Sequence, residues 1–423
     1  MKIFLDVVGC RLNQAELEII ARQFQTLEHE IVANAEEADL AVINTCTVTQ
    51  AAASDSRGKI RKAARNGINR IVVTGCWATM YPKQAADFPF ATQVVINKEK
   101  DDLVSKILEI PINAILYQNN PRIPIPGIRK RTRAFIKAQD GCDNHCTFCI
   151  TTIVRGSGIS RTIDQILDDI QAAESANEIV LTGVHLGSWG KDLGDDLDLF
   201  NLIQVILEQT EIPRIRLSSL EPWDLNEDSF KLWENPRLCR HLHLPLQSGC
   251  NITLRKMGRK ISTEEYASLI QSARSHIPDI AITTDIITGF PGETDYDFEK
   301  SLNFVREMNF SGGHVFTFSP RPGTAAAKMS NQIPHHLRKE RNARMRTVFA
   351  QAAYQYHEKN LGKVLPVLWE SAAMLQSHEW RLSGLTSNYI RVLSLSSYPI
   401  QNQISSVKLD EISKDGIWGQ IQS

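Results

Sequence analysis

The chain has 423 residues, 42% of them hydrophobic and 22% charged, a balance that fits roughly three domains of about 150 residues and excludes a disordered or fibrous chain. Its 47 Lys and Arg against 48 Asp and Glu leave a formal net charge of −1, so no overall positive field marks a nucleic-acid partner, and one must be sought in local patches. No run of about 18 apolar residues spans a membrane and the first ten residues lack the basic start and apolar core of a signal peptide, so a cytoplasmic chain without a membrane partner is expected. The eight cysteines then read as metal-binding, catalytic or buried, not as disulfides.

Residues 2–8, 39–44, 70–75 and 93–97 carry the short apolar runs of strands, and 14–27, 51–65 and 101–109 the spacing of helices. Strand and helix alternate, the pattern of a parallel α/β sheet. Residues 117–133 contain Pro121, Pro124, Pro126 and Gly127, which suit neither a helix nor a central strand. This linker holds Arg122, Arg129, Lys130, Arg131 and Arg133 without an acid, and reads either as a solvated tether or as a phosphate-contacting surface. Six further strands are expected at 134–139, 178–183, 215–220, 241–246, 281–287 and 313–319, with helices such as 163–173 and 297–308 between them, which suggests an open or partial barrel. From residue 361 short strands at 364–369, 389–395, 407–412 and 417–421 suggest a small all-β barrel. The expected division is 1–120, a linker at 121–133, then 134–360 and 361–423.

Cys142, Cys146 and Cys149 lie in one tight loop at the spacing C-x-x-x-C-x-x-C, just after the first strand of the six-unit segment. A zinc site usually completes four protein ligands, whereas an iron–sulfur cube takes one thiolate on each of three irons and can leave the fourth open to a reactant. His145 lies between two of these cysteines, a place more often held by a spectator than by a ligand, and Phe148 reads either as core or as a pocket wall. Cys10, Cys46 and Cys76 share no spacing, yet each follows a predicted strand. The carboxyl ends of parallel strands share one edge, where open α/β sheets hold ligands, so these three thiols are expected to converge and ligate. Gly9 and Gly75, each one residue earlier, let the backbone turn closely around a cluster. Cys239 and Cys250 have no third partner and read as buried thiols.

The Cys142-Cys146-Cys149 loop matches the radical S-adenosylmethionine (SAM) superfamily, and two three-cysteine sets followed by a small β barrel resemble its methylthiotransferases. The resemblance covers nearly the whole chain, most strongly up to about Pro322. It implies an N-terminal parallel α/β cluster domain, a radical-SAM partial (βα)6 TIM-like barrel and a C-terminal TRAM barrel that binds RNA. The stretches Gly9-Cys10-Arg11-Leu12-Asn13-Gln14-Ala15-Glu16, Leu181-Thr182-Gly183-Val184-His185-Leu186-Gly187, Ser218-Ser219-Leu220-Glu221-Pro222 and 241–250 are most similar to the branch acting on N6-threonylcarbamoyladenosine at position 37 of tRNA, which adds a methylthio group at adenine C2. Sister branches act on isopentenyladenosine-37 of tRNA or on ribosomal protein S12. One departure is Ile150-Thr151-Thr152-Ile153-Val154-Arg155-Gly156, where relatives commonly carry a proline and a tyrosine, which leaves the local substrate-side wall open.

The resemblance implies two [4Fe-4S] clusters: a SAM-cleaving one on Cys142, Cys146 and Cys149, and a sulfur-carrying one on Cys10, Cys46 and Cys76. Two SAM molecules are used per product. One methylates sulfur at the N-terminal cluster, and the other yields the 5′-deoxyadenosyl radical that removes the C2 hydrogen, which is neither acidic nor easily displaced. A low-potential electron donor such as flavodoxin or ferredoxin and a sulfide or polysulfide source are further partners, and nothing requires more than a monomer. A non-catalytic iron–sulfur electron carrier is the distant alternative.

Gly183, Glu221, Gln247 and Gly289 all follow predicted strand ends, the face where TIM-like barrels keep their chemistry. Gly183 would let SAM approach closely, Glu221 and Gln247 would contact its methionine or ribose, and Gly289 would accommodate its adenine. Against this, glycines in βα turns are commonly structural and Glu221 before Pro222 can cap or pair. His243, between Leu242 and Leu244, reads as a satisfied strand histidine more than as a proton carrier. RNA contact is expected from the basic linker and the tail, although five basic and five acidic residues cancel within the tail. There Trp369, Trp380, Tyr389 and Trp418 read mostly as barrel core, and the basic stretch 338–346 as a solvated helix face.

Overall fold

The computed structural model describes residues 1–111, 121–122, 125, 132–194 and 196–422. Most of the linker, with Pro124, Pro126, Gly127, Arg129, Lys130 and Arg131, lies outside the described residues. Arg122 is described, and it grips both carboxylate oxygens of Glu18 at 2.9 and 3.0 Å. Two compact units form: Met1–Asp143 with Ile150–Ser175 and Thr182–Val184, and Asn144–Cys149 with Ala176–Leu181 and His185–Ser423.

In the first unit an all-parallel sheet runs in the order Glu30–Val32, Lys2–Val7, Leu40–Thr45, Ile71–Gly75, Ala91–Val95. Leu40–Thr45 and Ile71–Gly75 are buried at every residue because helices cover both faces, and so they read as unbroken apolar runs. Leu17, Ile20 and Phe24 of helix Arg11–Thr26 pack with Ile3, Leu5 and Val42, while Ile60 of helix Gln50–Arg65 and Trp77 pack with Ala41, Ile43 and Val73. Each large side chain so withdrawn from water contributes about 1.5–3 kcal/mol. Val7 stands opposite Asn44 and Thr45 opposite Gly75, so the strands finish nearly level. The strand Glu30–Val32 and the helix Cys76–Met80 were not expected from the sequence, since three and five residues are too few to display a period.

The second unit contains a run of parallel strands. Ile215–Leu217 pairs with Glu178–Thr182 in the register Ile215↔Ile179 and Leu217↔Leu181, and bridges Ile215↔Leu238 and Ser219↔His243 lead on to His241–His243. That strand pairs with Ala281–Thr288, which pairs with Gly312–Thr317. The remaining strand of the expected six, Arg133–Lys137, belongs to the first unit, where Ala138 N donates to Thr182 O at 2.9 Å. Helices Leu199–Gln209, Thr263–His276 and Asp295–Glu307 each begin with a reciprocal capping box, set by Asp198, Ser262 and Thr294.

The tail is a closed five-stranded barrel in the order Val364–Met374, Trp380–Thr386, Arg391–Ser396, Gly416–Ile421, Ile404–Ser413. Closure removes every free edge. Trp380–Thr386 was not expected as a strand because Gly384 interrupts its pattern; a Cβ there would fall 2.6 Å from Leu368 O, so the glycine permits close approach to the neighbouring strand. Trp369 is buried in the barrel core and Trp380 packs against it. In the helix His335–Glu358 the stretch 338–346 does present a solvated face, with Lys339, Arg344 and Arg346 exposed, but Arg341 is buried against Glu293 and Asp295, and Arg338 donates to Phe318 O. No helix among the described residues is long and apolar enough to cross a membrane.

The barrel is clamped within its unit by two arginines. Arg214 donates to Leu385 O at 3.0 Å and Pro366 O at 2.7 Å, and Arg216 to Ser387 O and Thr386 O, both at 3.1 Å. Arg216 is also paired with the wholly buried Glu178 at 2.7 Å, and Tyr389 stacks on His241 with ring centroids 4.0 Å apart. Arg216→Met strands a buried carboxylate, so the thermal unfolding midpoint of the variant is expected to fall, the lost stability being about 3–5 kcal/mol; an unchanged melt would refute the clamp.

Candidate functional site

Cys46 and Cys76 directly follow Thr45 and Gly75, and Cys10 lies three residues beyond Val7, so all three reach one edge of the parallel sheet. Gly9, at φ 106°, turns so tightly that a Cβ would fall 2.6 Å from Sγ of Cys46, and Gly75, at φ 93°, would meet Thr45 O at 2.3 Å. These are conformations and clearances that only glycine satisfies. Buried Asn13 donates to Val8 O at 2.8 Å and to Thr45 O at 3.0 Å, fastening the Cys10 turn to the strand that precedes Cys46. Asn97 Nδ2 stands 3.6 Å from Cys76 Sγ.

Cys10 is exposed, whereas burial pushes the Cys46 thiol up to about 11, and the charges of Cys76 and Cys10 add to that. Thiols that oppose one another's ionisation in this way lose their protons most readily to a bound cation, so the donor set fits an iron–sulfur group. Among the described residues no three His, Cys, Asp or Glu side chains are grouped for a single metal ion, an arrangement that a cube taking one thiolate per iron does not need.

The helix Thr151–Arg155, in the stretch that departs from the family pattern, is built into this same edge. Ile150 and Val154 pack on Cys76, and Val154 O accepts from Asn97 Nδ2 at 2.8 Å. The guanidinium of Arg155 donates to Asn13 Oδ1 at 2.6 Å, Glu16 Oε1 at 2.9 Å and Asp140 Oδ1 at 2.7 Å. Glu16 also meets Lys100 at 2.8 Å and Lys137 at 3.7 Å, and Lys137 meets Asp140 at 3.0 Å. Burial alone would raise the Glu16 carboxyl, but Arg155, Lys100 and Lys137 hold it well below the usual range. Sequence reasoning gave no role to Arg155, Asn13 or Glu16; the usable signal was a pair of polar residues three and six places after Cys10, on the buried face of an amphipathic helix.

Of the second set, Cys142 lies in the first unit, where its N–H donates to Gly156 O at 3.1 Å, and Cys146 and Cys149 lie in the second. Cys149 N donates to Cys146 O at 3.0 Å, and this turn is held by Thr147, whose N–H and hydroxyl donate to Met257 O and Lys256 O at 2.9 and 2.8 Å. Phe148 packs against Met257, Phe290 and Phe318, while the side chain of His145 is exposed. Burial pushes the Cys146 thiol up to about 11 against the opposing charge of Arg259, whose Nη1 stands 3.7 Å from the sulfur. Arg259 also clasps both oxygens of Glu221 at 3.1 and 2.6 Å and lies 4.6 Å over Trp223. Glu221 thus pairs with a cation beside a cluster cysteine. Arg259 was missed because a lone arginine after a helix end has no sequence signature.

The other expected positions each follow the carboxyl end of a strand. Gly183 follows Thr182 in the first unit. Gln247 holds φ 75° and is pinned to the neighbouring strand, its N–H donating to Asp285 O at 2.8 Å. Gly289, at φ 72°, would place a Cβ 2.2 Å from Arg338 Cγ, so a side chain occupies the space beside it. His243 is bonded to Thr283 Oγ1 at 2.9 Å and faces Asp285 at 3.3 Å, as a satisfied strand histidine does. His185, in the stretch after the same predicted strand as Gly183, meets Asp224 at 2.7 Å and Asn144, within the cysteine loop, at 3.3 Å. Cys239 and Cys250 are buried.

Residues 2–97 match the family described as uncharacterized protein family UPF0004, and 136–305 match the radical SAM superfamily. The threonylcarbamoyladenosine tRNA methylthiotransferase MtaB of Thermotoga maritima is 33% identical over 98% of this chain and 95% of its own length. That of Bacillus subtilis is 33% identical over 96% and 93%. The chain belongs to the radical-SAM methylthiotransferases. Another member, the tRNA-2-methylthio-N(6)-dimethylallyladenosine synthase of Caldicellulosiruptor saccharolyticus, is 33% identical over 98% of the chain and 91% of that protein. Among solved structures, the radical SAM methyltransferase TsrM of Kitasatospora setae aligns with TM-score 0.59 and 14% identity over 77% of this chain and 75% of its own, a likeness of fold. A methylthiotransferase of this family needs iron–sulfur clusters and SAM, and the thiol edge of the first unit and the cysteine loop are donor sets of the right chemistry. Gly75→Ala forces a side chain into a left-handed turn against Thr45 O, and is expected to cost about 1–3 kcal/mol, read as a lowered melting midpoint of the metal-free protein.

Proposed function

We propose that this chain converts N6-threonylcarbamoyladenosine at position 37 of tRNA to its 2-methylthio derivative, replacing the C2 hydrogen of the adenine with a methylthio group. The observation that carries the reading is the meeting of Cys10, Cys46 and Cys76 at one sheet edge, in a chain that also holds the Cys142, Cys146 and Cys149 loop. The MtaB relatives, similar over nearly their whole length, support the substrate.

In this reading residues 1–120 form the sulfur-carrying domain, 121–133 a basic linker, 134–360 the SAM-cleaving barrel and 361–423 the RNA-binding barrel. Two [4Fe-4S] clusters held by the six cysteines, with two SAM molecules used per product, would supply one-electron SAM cleavage and the methylated sulfur. The protein's own work is to hold and to exclude. Arg259 clasps Glu221 and stands beside Cys146; Glu221, Gln247 and Gly289 would contact SAM, and Gly183 would let it approach closely. Asn13 and Asn97 brace the thiol edge. A flavodoxin- or ferredoxin-like donor, a sulfide or polysulfide source, a monomeric state and a cytoplasmic location complete the proposal.

Reconstituted anaerobically, the protein is expected to hold about eight irons per chain; about four would refute two clusters. Cys146→Ala should abolish 5′-deoxyadenosine formation, whereas Cys46→Ala should retain it and make no methylthio product; loss in both would refute the division of labour. The dimethylallyladenosine relative supports a second reading. Incubation with tRNA bearing threonylcarbamoyladenosine, with tRNA bearing isopentenyladenosine and with ribosomal protein S12 decides by which one gains the methylthio mass.

A further inference from the structure

The first unit buries an unusual group of charges directly behind its thiol edge. Arg155, Lys100 and Lys137 contribute three positive charges, and Glu16 and Asp140 two negative ones; Arg155, Lys100 and Glu16 have side chains only 3% exposed. A closed group of this kind would ordinarily be neutral, because an uncompensated charge withdrawn from water is expensive. Asp101 also meets Lys137 at 3.6 Å but is 91% exposed, so this third anion lies in water and the excess belongs to the buried part of the group. The surplus is one cation, and its position is defined: Arg155 donates to Asn13 Oδ1 at 2.6 Å, and that same oxygen is 3.7 Å from Cys10 Sγ. The Arg155 charge acts on both Cys10 and Cys76.

Resting on the two-cluster reading above, we propose that Arg155 and the charges it ties together are the built-in counter-charge of the cluster on Cys10, Cys46 and Cys76, and that this node sets the cluster's reduction potential. Three thiolates on a cube of two net positive charges leave one negative charge, which the surplus cation balances. An electron added at this edge makes it more negative by one charge and brings no proton, so a fixed cation nearby favours the reduced form and holds the potential up. Arg155 acts through this field and through its grip on Asn13 and Glu16, as a positioning residue that touches no reacting atom. The same guanidinium reaches Asp140, two residues before Cys142, so the arm leading into the second cysteine loop is anchored to the counter-charge of the first cluster.

The test uses the full chain with Cys142, Cys146 and Cys149 replaced by alanine, reconstituted with iron and sulfide and titrated with dithionite under electron paramagnetic resonance. Arg155→Gln is expected to lower the midpoint potential, Arg155→Lys to restore most of it, and Glu16→Gln, which removes an anion from the same node, to raise it. A merely structural role would not move the two charge-changing variants in opposite directions. Equal midpoints, or shifts of the same sign, overturn the proposal; should Arg155→Gln fail to hold iron, the sign for Glu16→Gln decides alone. If the parent triple variant binds no cluster at all, it is the two-cluster reading that fails.

Discussion

The strands Lys2–Val7, Leu40–Thr45 and Ile71–Gly75 run the same way and finish nearly level, and the chemistry of the first unit depends on that constraint. An antiparallel pair would send one cysteine to the opposite edge, and a shift of one residue would turn each strand's side chains over. The register is itself secured by burial on both faces, since Val42, Ile43, Val72 and Val73 have no solvent side to slip toward. Packing energy far from the thiols is thereby converted into their convergence. The glycines and the Asn13 bridge then refine a placement that the sheet has already made.

Much of this organisation was legible in the sequence because hydrophobic runs and strand-end cysteines are local signals. Most strands of the first sheet, the capped helix Asp295–Glu307 and the barrel tail carry patterns that survive without a structure. What escaped was either too short to show a period, as with Glu30–Val32, or concealed by a glycine, as with Trp380–Thr386. The site divides along the same line. Six cysteines announce themselves by spacing or topology, whereas Arg155 and Arg259 take their significance from partners far away in the chain, Glu16 and Glu221 among them. Nothing in the neighbourhood of either arginine in the sequence foretells the carboxylate it meets.

The two arginines follow a shared logic. Each stands beside a cysteine that is expected to carry iron, each is buried, and each is held by a carboxylate that stops it from moving away. Guanidinium suits this duty better than ammonium, since its planar fork can satisfy several acceptors at once and stays charged when water is withdrawn. Glu221 is informative here: read from the sequence as a polar contact to cofactor, it also fixes the cation next to Cys146.

The clamp between the second unit's helical part and its terminal barrel has a further consequence. Arg214 and Arg216 read the main-chain oxygens of Pro366, Leu385, Thr386 and Ser387, and of those four residues only Ser387 adds its side chain to the joint, accepting from Arg240 N at 3.1 Å. Main-chain acceptors persist whatever residue occupies the position. Apart from Tyr389, stacked on His241, and Ser387, the barrel's outward side chains are therefore at liberty to diverge, and with them its preference among ligands, while the angle at which it is mounted stays constant. Such a joint lets recognition drift in evolution without disturbing alignment.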